Sequence, residues 1–336
     1  MPGEVPGQQG NTTMATYTLT NPKPSLIGDL AFDPPPTEAW ERLSEQISEV
    51  NEDADRSGFA NWGSADTNLT VFGLTGAPPS SVYLNMQGGN DTLILQNTGD
   101  DIAYMGSGND KVFGGIGWDT LYGGSGVDFL YGEAGNDTLH GGSGGDELRG
   151  GADADTLYGG SGVDLLFGGA GADVLYGGVD NDTLYGDGDG ATQTTGGRDV
   201  LNGGFGNDTL YGGFGADTLF GNAGADTFAF QSASDLGYGH TDVIRDFSRA
   251  EGDRINLSGI DANTTLAGNQ AFRFVNGPSE TAGDMWLGEV INGQQHVYMN
   301  LDGVRSDLSP FAADIELIVT FDDPAMTSLT VVDFFR

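Results

Sequence analysis

The chain of 336 residues contains no cysteine, so disulfide frameworks and thiolate metal sites are both excluded. Basic residues are also scarce: 12 Lys and Arg stand against 49 Asp and Glu, which gives a formal net charge of −37. A surface this acidic repels nucleic acid and anionic membranes and attracts cations. No apolar run approaches the length of a membrane span, and the first residues have neither the basic nor the apolar part of a signal peptide. We therefore expect no nucleic-acid partner and no membrane span, and either a cytosolic location or export without an N-terminal signal.

Glycine is the abundant residue, with 58 copies, and most of these lie in a nine-residue repeat. From Met105 to Tyr185 the period does not slip, and each unit has an Asp followed two residues later by an apolar residue. The pattern gives thirteen candidate metal-ligating carboxylates: Asp110, Asp119, Asp128, Asp137, Asp146, Asp155, Asp164, Asp173, Asp182, Asp199, Asp208, Asp217 and Asp226.

The repeat predicts a coil in which two nonapeptides form one turn, with a short strand on each face of a thin sandwich. Glycine permits tight turns with positive φ, and Asp153 and Asp180 replace it at the fourth position because Asp also visits that region. The last three residues of each unit should form the strand, with Leu121, Leu130 and their equivalents pointing inward. Residues eighteen apart then stack at the ~4.8 Å strand spacing, which places the Asp residues in two columns.

Stacked carboxylates repel one another, so we expect the coil not to form without counter-ions. Carboxylate and carbonyl oxygens, with no Cys or His, favour Ca²⁺ over zinc or copper, and Mg²⁺ is disfavoured because it keeps its waters. The predicted pairs accommodate up to about nine ions.

These repeats resemble the RTX family, whose GGxGxDxUx nonapeptides form a calcium-bound parallel β-roll. The resemblance implies calcium ligation by the Asp residues above and by carbonyls of the loop glycines. On the repeats that match best, these glycines are Gly114, Gly115, Gly117, Gly123, Gly124, Gly126, Gly159, Gly160, Gly162, Gly168, Gly169 and Gly171. The predicted fold class is all-β: a parallel, right-handed β-solenoid with a C-terminal mainly β domain and one short N-terminal helix.

The segment from Ala225 to Asp261 is similar to the C-terminal domain of serralysin-type proteins, and by that likeness Asp246 and Asp253 assist calcium binding. RTX proteins leave the cell through the type I secretion machinery, which reads an uncleaved C-terminal signal. Asp333, Phe334 and Phe335 fit such a signal, although Arg336 departs from the usual apolar ending. The resemblance implies a secreted protein that stays unfolded in calcium-poor cytosol and folds outside.

We expect four parts. They are a flexible tail at 1–36, a helix from Thr37 followed by short strands at 37–85, the calcium-binding roll at 86–229 with an insertion at 186–193, and the serralysin-like domain at 230–336.

No catalytic motif is evident. HExxH is absent, His140, His240 and His296 are scattered, and the GxSxG of Gly141–Gly145 lies inside a repeat loop rather than at a strand-to-helix turn. Rows of aromatic residues are expected on both outer faces, either as cross-strand packing or as a platform for extracellular polysaccharide.

Three functions remain open: a non-catalytic calcium-binding protein of the cell surface or matrix, an RTX enzyme or enzyme fragment with an unrecognised catalytic part, and an adhesive or lattice-forming subunit.

Overall fold

The nine-residue spacing places alternate strands of the chain in two sheets. The computed structural model describes residues 81–188, 196–232, 234–236, 241–260, 272–274, 282, 284–291, 294–300, 315–321 and 328–335, and the strand backbones at 16–19, 30–31, 58–61 and 68–72. These residues form an all-β parallel solenoid of about eight turns, followed by further β-strands. The predicted helix from Thr37 lies outside them. No helix within these ranges is long and apolar enough to cross a membrane.

The first sheet has thirteen strands, and nearly all of its neighbours pair in parallel. In spatial order they are β2 (Leu30–Ala31), β1 (Thr16–Leu19), β4 (Asn68–Phe72), β6 (Thr92–Gln96), β8 (Lys111–Ile116), β10 (Phe129–Ala134), β12 (Glu147–Ala152), β14 (Leu165–Ala170), β16 (Thr183–Tyr185), β18 (Thr209–Tyr211), β20 (Thr227–Ala229), β22 (Arg254–Asn256) and β27 (Phe334–Phe335).

The second sheet has fourteen strands and ends in an antiparallel meander. In spatial order they are β3 (Gly58–Asn61), β5 (Val82–Asn85), β7 (Ile102–Ser107), β9 (Thr120–Ser125), β11 (Thr138–Ser143), β13 (Thr156–Ser161), β15 (Val174–Val179), β17 (Val200–Phe205), β19 (Thr218–Ala223), β21 (Asp242–Phe247), β26 (Ile315–Phe321), β25 (Gln294–Asn300), β24 (Asp284–Ile291) and β23 (Arg273–Phe274).

The core is a ladder of side chains from the eighth position of each repeat. Leu121, Leu139 and Leu157 stand in register at eighteen-residue spacing, and each is 0% exposed. The ladder continues past the glycine-rich repeats through Phe228, and Ile244 is equally buried beyond them. The inward-facing Leu predicted from the sequence is confirmed.

The strands are longer than the sequence predicted. We expected three residues per strand, but β9 spans Thr120–Ser125 and includes the first two glycines of the next repeat. Those glycines pair in register with the neighbouring turns, as Gly124 does with both Gly106 and Gly142. The loop glycines therefore extend the ladder as well as forming the turn.

The aromatic rows expected on the outer faces are present. On the second sheet, Tyr104, Tyr122, His140 and Tyr158 stack with centroid separations of 4.5–4.7 Å and interplanar angles of 1–4°. On the first sheet, Phe167 stacks on Tyr185 at 4.9 Å. Each ring face is covered by the next ring in the row, so mainly the ring edges face outward.

The first C-terminal strands continue the two sheets of the roll, and the later strands form the ends of those sheets. β21 pairs in parallel with β19, and β22 pairs in parallel with β20. The final strand, β27, adds to β22, while β24, β25 and β26 form the antiparallel meander on the other sheet.

Candidate metal centre

Two columns of buried carboxylates run along the edges of the solenoid. Every member is at most 2% exposed and lies two residues before a core side chain. We call them column A and column B. Column A consists of Asp91, Asp110, Asp128, Asp146, Asp164, Asp182, Asp208, Asp226 and Asp253. Column B consists of Asp101, Asp119, Asp137, Asp155, Asp173, Asp199, Asp217 and Asp242.

Each column is held in register by one repeated hydrogen bond. The backbone N–H of Asp119 donates to Oδ1 of Asp137 at 2.8 Å, and the N–H of Asp137 donates to Oδ1 of Asp155 at 2.7 Å. These bonds link successive turns and fix each carboxyl in one orientation.

The second carboxyl oxygen has no such partner. Within the part of the chain that the structure describes, Oδ2 is buried and accepts no hydrogen bond in fourteen members of the columns. They are Asp101, Asp119, Asp128, Asp137, Asp146, Asp155, Asp164, Asp173, Asp182, Asp199, Asp208, Asp217, Asp226 and Asp242. A buried polar atom without a partner is costly and calls for an explanation such as a bound ion.

The first glycine of each repeat keeps space for this oxygen. A Cβ at Gly114 would lie 2.7 Å from Oδ2 of Asp119 and 2.9 Å from the carbonyl oxygen of Gly132 in the next turn. Gly114 has no positive φ, so it is glycine because two acceptor oxygens approach it. The sequence argument assigned the loop glycines to turn geometry alone. That reason holds for the second and fourth positions, and for the replacements Asp153 (φ 76°) and Asp180 (φ 82°).

Burial raises the pKa of these carboxyls more than their neighbours do. It is the first cause that raises the pKa of Asp119 to about 8, against a backbone hydrogen bond that lowers it; the charges of Asp101 and Asp137 raise it further. Burial also raises the pKa of Asp128 to about 7. The sequence argument considered only the repulsion between stacked carboxylates, whereas burial is the first cause that raises the pKa of these groups. A bound cation would neutralise the charges and take the place of the lost water.

The donor set suits a hard cation. All of the convergent atoms are carboxylate or carbonyl oxygens, which Ca²⁺ prefers. Among the described residues, no three His, Cys, Asp or Glu side chains come together as a metal site. Successive carboxylates belong to different turns, so backbone carbonyls of the glycine loops would have to complete the coordination. The residues therefore fit calcium, with Asp and carbonyl oxygens sharing the ligation.

The columns reach further than the thirteen predicted Asp residues. Asp253, which the resemblance had suggested, continues column A by accepting the N–H of Asp226 at 3.0 Å. Asp242 continues column B, and the sequence argument missed it because Tyr238 and His240 stand where the repeat has its second and fourth residues, so the GGxGxD pattern is incomplete. The signal was nevertheless present, since Ile244 follows Asp242 at the same spacing as Leu follows the other Asp residues. Asp246 instead accepts the N–H groups of Gly221 and Asn222.

The insertion leaves both columns continuous. Asp173 and Asp199 are 26 residues apart, yet they make the same bond as pairs that are 18 apart. We placed the insertion at 186–193, but Gly186 occupies the first position of the repeat that contains Asp199. The eight extra residues therefore lie at 188–195, after Asp187. The sequence does not distinguish the two placements, because removing either 186–193 or 188–195 leaves a nine-residue repeat around Asp199; the contacts of Gly186 do.

His140, His296 and the serine of the GxSxG motif do not show the arrangement of a catalytic site. His140 stacks between two tyrosines in β11, and His296 is in β25 beside Tyr298. Ser143 ends strand β11 instead of standing at a strand-to-helix turn. His240 is outside the described residues.

The sequence of the roll matches a known family. The family model for the RTX calcium-binding nonapeptide repeat (4 copies) matches residues 96–130, 122–157, 131–166, 158–190 and 193–228. No curated protein matches the chain. The serralysin likeness of 230–336 is beyond the matched residues and stays a prediction. Residues 96–190 and 193–228 are thus RTX calcium-binding nonapeptide repeats, and they form a β-solenoid.

Proposed function

We propose that this chain is a secreted, non-catalytic calcium-binding protein of the cell surface or extracellular matrix, which folds when it meets extracellular calcium. The observation that carries the proposal is the set of buried Oδ2 atoms without a hydrogen-bond donor along both columns. Ions that bind only the folded state stabilise it by mass action. A chain that lacks them keeps its carboxylates in water by staying unfolded.

Folding outside the cell follows from the calcium gradient. Ligand binding that requires the folded state contributes folding free energy, about 4 kcal/mol for one site at a thousand times its Kd. Several sites along two columns multiply that contribution where calcium is abundant. RTX repeat proteins are typically secreted, in agreement with this location.

The C-terminal segment supports export before folding. In the folded protein Asp333 is 0% exposed and Phe334 is 6% exposed, and β27 pairs with β22. A secretion signal at these residues would be accessible to the type I machinery only while the chain is unfolded. Calcium-poor cytosol would keep it accessible by leaving the chain unfolded.

The proposal is tested by far-UV circular dichroism during a calcium titration of the purified full chain. We expect a coil-like spectrum in chelator and a cooperative gain of β-signal with calcium. A fully ordered chain in excess chelator would refute calcium-driven folding. A second measurement, the fraction of the chain in culture supernatant with and without a co-expressed type I exporter, tests the secretion part separately.

The remaining functions are separated by direct assays. Hydrolysis of casein or lipid esters, or modification of alginate, would indicate an enzyme. Glycan-array binding that is lost in the Tyr122→Ala, Tyr158→Ala double variant would indicate a polysaccharide partner. The stacking in the aromatic row argues against sugar rings lying on those faces, because the neighbouring rings already occupy them. Calcium-dependent assembly in analytical ultracentrifugation would indicate a lattice-forming subunit.

A further inference from the structure

One repeat has a buried carboxylate at its second position, where other repeats have a glycine or an exposed residue with positive φ. Gly186 is the first residue of this repeat, Asp187 is the second, and Asp199 supplies the column B carboxylate. At the second position, Glu133 and Asn222 adopt positive φ, as the glycines do, whereas Asp187 does not. The chain therefore leaves the regular turn at Asp187 and enters the insertion at 188–195.

Asp187 is buried although it directly precedes the inserted segment. It is 5% exposed, and its Oδ2 accepts the backbone N–H of Phe214 at 2.5 Å. Its Oδ1 is buried and accepts no hydrogen bond from any described residue. A Cβ at Gly196 would lie 2.5 Å from this Oδ1, and the carbonyl oxygen of Phe214 approaches the same glycine. Two acceptor oxygens thus face one glycine, as they do at the regular sites.

The charge of Asp187 acts on three successive members of column B. It is among the causes that raise the pKa of Asp173, Asp199 and Asp217. The one nearby basic residue of this repeat, Arg198, is exposed. Burying a further carboxylate beside this column without a counter-charge would be strongly unfavourable.

A purely structural role does not account for these contacts. The hydrogen bond to Phe214 needs one neutral acceptor, which Asn would supply without adding charge to an anionic column. A purely structural role explains neither the negative charge of Asp187 nor its second buried oxygen.

We propose that Asp187 is an additional calcium ligand, which makes the metal site at the turns of Asp199 and Asp217 the tightest in the roll. The inference rests on the calcium loading proposed above. Ligand charge is one of the features that set calcium affinity, so an extra carboxylate strengthens this site relative to its neighbours. As free calcium rises, this site is then the first in the roll to fill.

The test compares Asp187→Asn with Asp153→Asn in the full-length chain. Asp153 is an exposed loop Asp of the column B edge whose positive φ suits Asn, so its variant controls for loss of one charge. Calcium binding is measured by isothermal titration calorimetry, and bound ions are counted by native mass spectrometry at limiting free calcium. We expect Asp187→Asn to weaken the tightest class of sites about ten-fold and to remove one ion at limiting calcium, with Asp153→Asn close to wild type.

Asp187→Gly, which restores the glycine found at this position in most other repeats, guards against misfolding of the Asn variant. It should also lose the tight site while retaining the wild-type spectrum in saturating calcium. If both variants bind calcium like wild type, the assignment of Asp187 is wrong and calcium-driven folding stands. If the wild type takes up no calcium, the proposed function itself fails.

Discussion

The roll and the C-terminal strands both bury Asp side chains, but the surroundings of the buried carboxylates differ. Asp128 in the roll is 0% exposed, with one oxygen lacking a donor, and burial raises its pKa to about 7. Asp333 is also 0% exposed, but Arg249 contacts both of its oxygens and Thr330 donates to it as a cap. Although burial would raise the pKa of Asp333, the bonds from Arg249 and Thr330 lower it below its usual value. The buried Asp333 thus has a basic side chain as its partner, whereas the buried Asp128 has none among the described residues.

The cations of the repeat array lie elsewhere. Residues 86–229 contain only Lys111, Arg149 and Arg198 as basic residues. Lys111 lies over the rings of Phe113 and Tyr131, and Arg149 lies over Phe167, all on the outer face. Arg198 is exposed, so none of the three neutralises the columns. The comparison thus separates the fourteen column carboxylates whose Oδ2 accepts no hydrogen bond, which have no basic side chain beside them among the described residues, from Asp333, which is paired with Arg249.

The largest predicted effect is the dependence of the calcium-free roll on pH. Buried Asp residues whose folded pKa is raised, to about 8 for Asp119 and about 9 for Asp199, bind more protons folded than unfolded. The free energy of unfolding therefore falls as pH rises from about 4 to about 9. In chelator we expect more ordered β-structure at pH 5 than at pH 9, measured by circular dichroism.

Calcium should reverse this trend. Because the ion binds carboxylates and releases protons, its affinity should increase over the same pH range. Proton release on titration in two buffers of different ionisation enthalpy measures this directly. A calcium-free chain that is more ordered at pH 9 than at pH 5 would contradict the columns as described.

The second prediction removes the internal cation of the C-terminal part. Arg249→Met leaves the Asp333 carboxylate buried without its ion pair, which costs about 3 kcal/mol, the lower end for a broken buried pair because Arg249 is partly exposed. Unlike removal of calcium, this loss should persist in saturating calcium, as measured by urea unfolding of the loaded protein. Arg245→Met, at an exposed position of β21, is the control and should change the free energy of unfolding by less than about 0.5 kcal/mol. Equal stability of the two variants would mean that the Arg249–Asp333 pair does not close the C-terminal part.

The third prediction separates two glycines of one repeat. A Cβ at Gly141 would lie 2.5 Å from Oδ2 of Asp146 and 2.7 Å from the carbonyl oxygen of Gly159, so Gly141→Ala should destabilise the roll by about 1–3 kcal/mol and raise the calcium midpoint. Gly145→Ala is the matched control, since its Cβ would lie 3.0 Å from one carbonyl oxygen and Ala154 occupies the equivalent position of the next repeat. Calcium titrations followed by circular dichroism compare the calcium midpoints of the two variants. A Gly145→Ala midpoint shifted as far as that of Gly141→Ala would show that the Asp-facing space is not specific.

The sequence correctly predicted the features that follow from the nine-residue repeat. Spacing alone predicted two sheets, the Leu121 ladder and the stacking of Asp119 on Asp137, because a nine-residue unit can bury its apolar residue only by stacking. It was insufficient where the period ends. Asp242 has the right spacing to Ile244 but only an incomplete GGxGxD pattern before it. The position of the insertion depends on contacts of Gly186 that no local pattern reveals. Gly114 must lack a Cβ partly because the carbonyl oxygen of Gly132, eighteen residues away in the next turn, approaches it. The local sequence does not show this contact.

The smallest predicted effect concerns the aromatic row on the outer face of the second sheet, whose contribution to stability should depend on neither calcium nor Arg249. His140 interrupts a row of tyrosines, stacked at 4.6 Å on Tyr122 and 4.7 Å on Tyr158, and burial lowers its pKa. Protonation of His140 is thus disfavoured in the folded state, and the stability of the row should fall as pH drops through the ordinary pKa of histidine. His140→Tyr should remove that acid sensitivity and stabilise the loaded roll by about 0.5 kcal/mol through ring stacking. Urea unfolding of the calcium-loaded protein at pH 5 and pH 8 measures both effects. If the variant and wild type lose stability equally between those pH values, the acid sensitivity of the loaded roll originates in the columns and not in this row.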